Sequence, residues 1–75
     1  MDLKEFIESF AEQFDDTDIS EFDPTTVYQD LDEWGSLTAL GIIAFVRTKY
    51  NKKITALDIR SCSTIEELFN LVEQR

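Results

Sequence analysis

Ser36 is the residue of this chain best placed to carry chemistry. It lies between an acidic loop, which includes Asp32 and Glu33, and an apolar segment that begins at Leu37. A hydroxyl at the start of a helix is exposed, is held on a rigid element and faces backbone N–H groups that favour an attached anion. The chain has no histidine to activate this serine as a nucleophile. The pattern therefore favours a covalent attachment point over a catalytic residue.

The other residue types do not form the common catalytic or metal-binding patterns. Without histidine, the single cysteine, Cys62, cannot build a zinc site, and the acidic residues do not follow the EF-hand spacing. The chain has only two glycines, so it has no glycine-rich phosphate loop, and Gly35-Ser36 lacks the G-x-S-x-G pattern of hydrolases. We expect no metal ligands, no catalytic residues and no enzymatic activity of its own. Cys62 is expected to be structural, although a position at a helix start would lower its pKa.

Acidic residues are concentrated in the first half of the chain. The net charge is −9, and residues 1–36 hold twelve acids and one base, whereas residues 37–75 hold four acids and six bases. This distribution argues against nucleic acid as a partner and favours attraction to a basic protein surface. The alternative is that the acids only keep a small domain soluble.

Length and composition predict one small helical domain over residues 1–75. Forty-three per cent of the residues are hydrophobic, which is typical of a globular protein. A single cysteine forms no internal disulfide, so we expect a cytoplasmic protein. We also expect a monomer. No apolar run is long enough for a membrane span and no signal peptide is evident, so we expect neither insertion nor export.

The apolar spacing is helical throughout, which predicts an all-α bundle of three main helices and one short helix. The first helix spans 3–14 after an N-cap at Asp2, and the second spans 36–50. A short helix or turn covers 54–61, and the last helix starts at Ser63 or Thr64 with a capping box. The long connection 15–35 has a possible helical turn after Asp23. It is expected to pack on the core through its apolar side chains, which are Ile19, Phe22, Val27, Tyr28, Leu31 and Trp34.

Residues 28–40, with the sequence YQDLDEWGSLTAL, resemble the acyl carrier protein family. In that family an acidic loop leads into Asp-Ser-Leu at the start of the second helix. The resemblance extends over nearly the whole chain, because the order, spacing and length of the predicted helices also agree with it.

The resemblance implies that Ser36 carries a 4′-phosphopantetheine arm, transferred from coenzyme A by a phosphopantetheinyl transferase. The thiol of the arm would hold acyl groups as thioesters and present them to acyl-transferring or acyl-ligating enzymes with basic docking surfaces. The residues expected to contribute to partner recognition are Asp30, Asp32, Glu33, Gly35 and Leu37. Leu37 and Leu40 are expected to anchor the second helix. The candidates to line an acyl pocket are Leu40, Ile43, Ala44 and Val46, for which ordinary core packing is the alternative.

Two features depart from the family pattern. Gly35 stands where the motif has aspartate, which the transferase recognises, so we expect slower modification than in a Gly35→Asp variant. Residues 37–50 contain no acid, whereas many family members carry acids there, so partner selection would rest on the loop before Ser36.

Three other interpretations stay open. A carrier of aminoacyl units would use the same serine for a different cargo. The chain would instead be an unmodified protein-interaction module if Ser36 carried no arm. In the simplest interpretation of the residue itself, Ser36 only caps its helix.

Overall fold

The computed structural model describes residues 1–75 as a small bundle of α-helices without β-strands. The helices are α1 (Leu3–Ala11), α2 (Ser36–Tyr50), α3 (Ala56–Ser61) and α4 (Ile65–Glu73), and two 3-10 turns (Ile19–Glu21 and Tyr28–Asp30) lie between α1 and α2. One isolated antiparallel bridge joins Val27 to Thr64. The predicted all-α class is confirmed, and no helix is long and apolar enough to cross a membrane.

Helix α1 begins where the sequence predicts but ends earlier. The Asp2 carboxylate caps it by accepting a hydrogen bond from the amide of Lys4 (3.2 Å). The helix ends at Ala11 rather than at Phe14, because the amide of Phe14 bonds to the carbonyl of Ala11, only three residues back (3.0 Å). Phe14 stays buried after this tighter turn, so the predicted apolar face is retained.

An aromatic core joins the helices. The ring of Phe6 on α1 lies 5.5 Å from that of Phe45 on α2 and 5.4 Å from that of Phe69 on α4, measured between centroids. Aromatic side chains bury the largest apolar area per residue, and tilted or edge-on pairs add to the stability gained from burial. The predicted inner face of α4 is confirmed, since all four of its residues are buried: Ile65, Leu68, Phe69 and Val72.

The long connection between α1 and α2 is fixed onto this core, although not by every apolar side chain. Of the six predicted contacts, two are buried (Phe22 and Tyr28), two are partly buried (Leu31 and Trp34) and two are exposed (Ile19 and Val27). The predicted helical turn after Asp23 is present as one hydrogen-bonded turn, which does not continue into a helix. There the amide of Thr26 bonds to the carbonyl of Asp23 (3.1 Å) and closes a simple turn around Pro24.

The two C-terminal helices both begin at a side-chain cap, but only that of α3 is a capping box, because the Glu67 carboxylate of α4 accepts from the amide of Ser63 (2.7 Å) and not from that of Thr64. At α3, Thr55 and Asp58 form a reciprocal capping box, and Asp58 also accepts a hydrogen bond from Arg75 (2.7 Å). At α4, the hydroxyl of Thr64 accepts a bond from the amide of Glu67 (3.2 Å). The first of these caps fixes the start of α3, which forms one wall of the site described next, and the second fixes the start of α4.

Candidate functional site

Ser36 is the first residue of α2 and is exposed to solvent. The N-cap position belongs to Gly35, which has an extended backbone (φ −176°, ψ 179°) and offers no side chain. The alternative interpretation, in which Ser36 only caps its helix, is therefore wrong. The amides of Ser36, Leu37 and Thr38 donate no hydrogen bond, because the first helical bond runs from Ala39 to Gly35 (3.0 Å).

The acidic loop before Ser36 is held by Glu33. Its carboxylate accepts hydrogen bonds from the amides of Asp15 (3.0 Å) and Asp16 (2.8 Å) and from the hydroxyl of Thr17. The bond from Thr17 contributes most to holding the pKa of Glu33 below its usual value, and the two amide bonds add to it. The carbonyl of Glu33 accepts a bond from the hydroxyl of Thr38 (2.9 Å), which ties the loop to α2. Glu33 is thus committed to positioning the loop.

The other recognition candidates beside Ser36 remain free. Asp30 and Asp32 are exposed and pair with no cation. Leu37 is 83% exposed. A Cβ built on Gly35 would have no atom within 4 Å, so this position has room for the aspartate of the family motif. Of the acidic side chains, Asp15 and Glu33 share a depression with Ser36 and Leu37, whereas Asp30 and Asp32 line a separate one. No group of three or more acids is arranged to hold a metal ion.

A cleft of about 310 Å³ lies next to Ser36, between α2 and α3. Its apolar lining comes from both helices and from the preceding loop, and comprises Trp34, Ala39, Ala56 and Ile59. Its polar edge comprises Gln29, Gly35, Ser36 and Arg60. Two alanines on facing helices leave the space between them unfilled, so an apolar group attached near Ser36 could enter it.

Two residues of the long connection hold α3 against this cleft. The hydroxyl of Tyr28, whose side chain is fully buried, donates to the carbonyl of Ile59 and lies 3.0 Å from that of Cys62. The side-chain Nε2 of Gln29 donates to the same two carbonyls, at 3.3 and 3.1 Å. Burial raises the pKa of the Tyr28 phenol above its ordinary value. These bonds satisfy carbonyls at the C-terminal end of α3 that have no partner within the helix.

The four acyl-pocket candidates are not brought together around Ser36. Val46 is fully buried in the core, whereas Leu40 is 61% exposed and Ala44 is exposed. Ile43 and Ala44 line a separate depression at the C-terminal end of α2, together with Arg47, Lys52, Lys53 and Ile54. The expectation that Leu37 and Leu40 anchor α2 is wrong, because its core contacts come from Ile42, Phe45 and Val46.

Cys62 is the C-cap residue of α3 and is buried, not at the start of a helix. Burial raises the pKa of its thiol, which is opposite to the direction that a helix start would give. The thiol has no sulfur partner. A structural role is consistent with this position.

Sequence reasoning missed the residues that form the cleft. Ala39 lies on α2, whereas Ala56 and Ile59 lie on α3, and their proximity depends on the angle at which α3 meets α2. The one available signal was small size, since alanines on two successive helices beside Ser36 indicate a gap or a close approach. The hydrogen bonds of Glu33 and Tyr28 span 16 to 34 residues and have no local signature.

Comparisons with known proteins give no relative for this chain. No family model matches it, and neither the curated proteins nor the solved structures contain a match.

Proposed function

We propose that this protein is a carrier that holds acyl groups as thioesters on a 4′-phosphopantetheine arm attached to Ser36. The observation that carries the proposal is the exposed Ser36 hydroxyl at the first position of a 15-residue helix, beside an apolar cleft. The resemblance of residues 28–40 to the acyl carrier protein family supplies the identity of the arm. The protein would have no catalytic activity of its own.

The start of α2 suits a phosphodiester on Ser36. Three backbone amides are free there, and the positive end of the helix dipole favours an anion by roughly 0.3–1 kcal/mol. No acidic side chain occupies the first turn of α2. Asp15 and Glu33 share a depression with Ser36 and would oppose the anion. Asp15 is exposed, so water and salt screen its charge, and the Glu33 carboxylate already accepts bonds from two amides and one hydroxyl.

The cleft between α2 and α3 suits the cargo. An acyl chain that lies against Trp34 and Ile59 would lose contact with water, at a gain of roughly 0.8 kcal/mol for each buried CH₂ group. The same position would shield the thioester from hydrolysis. Arg60 on the cleft edge has no anionic partner and is available to a polar or charged end of the arm.

The surface around Ser36 suits docking of partner enzymes. Leu37 and Leu40 are exposed beside the serine, and Asp30 and Asp32 lie in the adjoining loop. The phosphopantetheinyl transferase and acyl-transferring enzymes would therefore present an apolar contact flanked by basic residues. Charge reversal of Asp30 and Asp32 tests this contact better than reversal of Glu33, which would also release the loop.

Two alternatives keep the same fold. A carrier of aminoacyl units would use the same arm and differ only in cargo. An unmodified interaction module is favoured by Gly35, which stands in place of the motif aspartate, and by the exposed leucines, which would contact a partner without any arm.

The test is transfer of the arm from coenzyme A by a transferase of broad specificity, followed by intact-mass analysis. In this transfer the Ser36 hydroxyl loses its proton and forms the phosphodiester, while the pyrophosphate bond of coenzyme A breaks and adenosine 3′,5′-bisphosphate leaves. We expect a mass gain of one phosphopantetheinyl group in the wild type and in a Ser20→Ala control, whose serine is also exposed. Ser36→Ala should gain nothing. An unmodified wild type, under conditions that fully load a known carrier, favours the interaction module.

A further inference from the structure

A groove of about 400 Å³ lies between α1 and the loop that follows it, and it shares no residue with the Ser36 cleft. We refer to it as the α1 groove. Its apolar lining is formed by Leu3, Ile7, Ile19, Phe22 and Pro24. Ile19 is 56% exposed, and Leu3 and Ile7 are only partly buried, so the groove presents apolar surface to solvent.

Local hydrogen bonds keep the groove open. The Asp18 carboxylate accepts a bond from the amide of Ser20 (2.9 Å), and the amide of Phe22 bonds to the carbonyl of Ile19 (3.1 Å). The hydroxyl of Thr26 donates to the carbonyl of Glu21 (2.8 Å). The backbone on both sides of Ile19 is therefore fixed, and its side chain does not fold inward to fill the groove. Together with Leu3, Ile7 and Phe22, the Ile19 side chain forms one contiguous apolar surface, which is typical of a contact site.

The charge around the α1 groove defines what fits it. Glu8 and Asp23 lie on its edge, Asp18 caps the 3-10 turn that carries Ile19, and Glu21 is the last residue of that turn. Lys4 is the only base among the lining residues and the only one in residues 1–36, which hold twelve acids. A purely apolar ligand would leave this acidic edge without partners. A ligand with apolar side chains flanked by lysine or arginine would pack on the apolar lining and also pair with the acidic residues on the edge.

We propose that the α1 groove is a docking site for an amphipathic basic segment of a partner protein, with apolar side chains on one face and basic residues beside them. Such a segment lays its apolar face into a groove, as helical peptides do in other complexes. Because this surface is separate from Ser36, a partner bound there leaves the serine and its cleft accessible. The proposal does not depend on modification of Ser36.

The test uses two synthetic helical peptides and the full-length chain labelled with ¹⁵N. One peptide carries leucine on one face and lysine on the other, and the second has glutamate in place of each lysine. We expect the lysine peptide to bind saturably with a dissociation constant below about 1 mM and to shift the amide resonances of α1 and of the turn at Ile19. The glutamate peptide should not bind.

Two matched variants test the location of the site. Ile19→Asn should weaken binding of the lysine peptide at least about fivefold, since it removes the exposed apolar contact without changing charge. Leu57→Asn is the control, because Leu57 is 68% exposed on α3 and lines no part of the groove. Glu8→Gln should weaken binding about twofold and reduce its dependence on salt.

Several results would overturn the proposal. They are equal binding of the two peptides, resonance shifts centred on Leu37 and Leu40, equal weakening by Ile19→Asn and Leu57→Asn, and failure to saturate. Binding of zwitterionic lipid vesicles through the same residues would make the groove a lipid contact instead of a peptide site. Loading of Ser36 by the transferase would be unaffected by any of these outcomes, so the two proposals fail independently.

Discussion

Replacing Tyr28 with phenylalanine removes the hydroxyl that links the long connection to α3. The phenol is buried and donates to the carbonyl of Ile59, with the carbonyl of Cys62 at 3.0 Å. Loss of a buried donor leaves its acceptors short of partners and costs about 1–3 kcal/mol. Gln29 still reaches both carbonyls, so we expect the lower part of that range, about 1–2 kcal/mol.

Tyr50 provides the matched control for this substitution. Its phenolic oxygen is also buried but makes no hydrogen bond, so Tyr50→Phe removes a buried hydroxyl without breaking a hydrogen bond. We expect Tyr50→Phe to leave the free energy of unfolding unchanged or to raise it by up to about 1 kcal/mol. The measurement is urea unfolding of the wild type and both variants. In thermal unfolding each 1 kcal/mol corresponds to a shift in Tm of roughly 4–8 °C for a domain of this size.

The pH dependence gives a second readout for Tyr28. Burial raises its pKa in the folded state, so the folded protein keeps this proton at a pH where the unfolded chain has lost it. Stability therefore falls as the pH rises above the ordinary tyrosine value of about 10. The stability difference between wild type and Tyr28→Phe should narrow there. Equal effects of Tyr28→Phe and Tyr50→Phe at neutral pH would refute the role assigned to the Tyr28 bonds.

Three further predictions concern the site and its loop. Gly35→Asp should be modified by the transferase faster than the wild type. It should also unfold at a higher temperature, because the position has open space and aspartate is a good N-cap. Equal modification rates in a time course by mass spectrometry would refute the recognition role of this position. Ala56→Leu should fill part of the cleft and raise the hydrolysis rate of an acyl thioester on the arm. Ala44→Leu, which lies outside the cleft, should leave that rate unchanged. Equal hydrolysis rates in both variants would show that the cargo does not use the cleft. The pKa of Glu33 is lowered by its bonds to Thr17, Asp16 and Asp15, so these bonds stabilise the fold fully at a pH above the ordinary glutamate pKa of 4.5, and their contribution is lost as the pH falls through the lowered pKa. The difference in Tm between wild type and Glu33→Gln should therefore be present at neutral pH and disappear in strong acid. A difference in Tm that stays constant with pH would contradict this.

The sequence predicts the helices well, because their periodicity and caps are local properties. The bounds of α2 and the buried face of α4 follow from apolar spacing alone. Helix α1 ends early at Ala11, because the next backbone hydrogen bonds run to the third residue back instead of the fourth. Apolar spacing does not distinguish these two hydrogen-bond patterns. The all-α class and the short third helix are confirmed for the same local reasons.

The surroundings of Ser36 are less predictable, because they depend on tertiary packing. Leu37, Leu40 and Ile42 are all apolar residues of α2, yet Leu37 and Leu40 face solvent and only Ile42 is buried. Which apolar stripe of α2 turns inward depends on where α1 and α4 pack. The roles of Glu33 and Tyr28 likewise depend on bonds to distant segments. The position of Ser36 at the start of α2, in contrast, was predictable from its immediate neighbours.

Attachment of the phosphopantetheine arm to Ser36 is the central claim, and site-resolved mass spectrometry tests it most directly. The protein is incubated with coenzyme A and a transferase of broad specificity, then digested, and the modified peptide is sequenced by fragmentation. We predict one phosphopantetheinyl group on Ser36 and none in Ser36→Ala. An unmodified Ser36, or an adduct that persists in Ser36→Ala, would contradict the account.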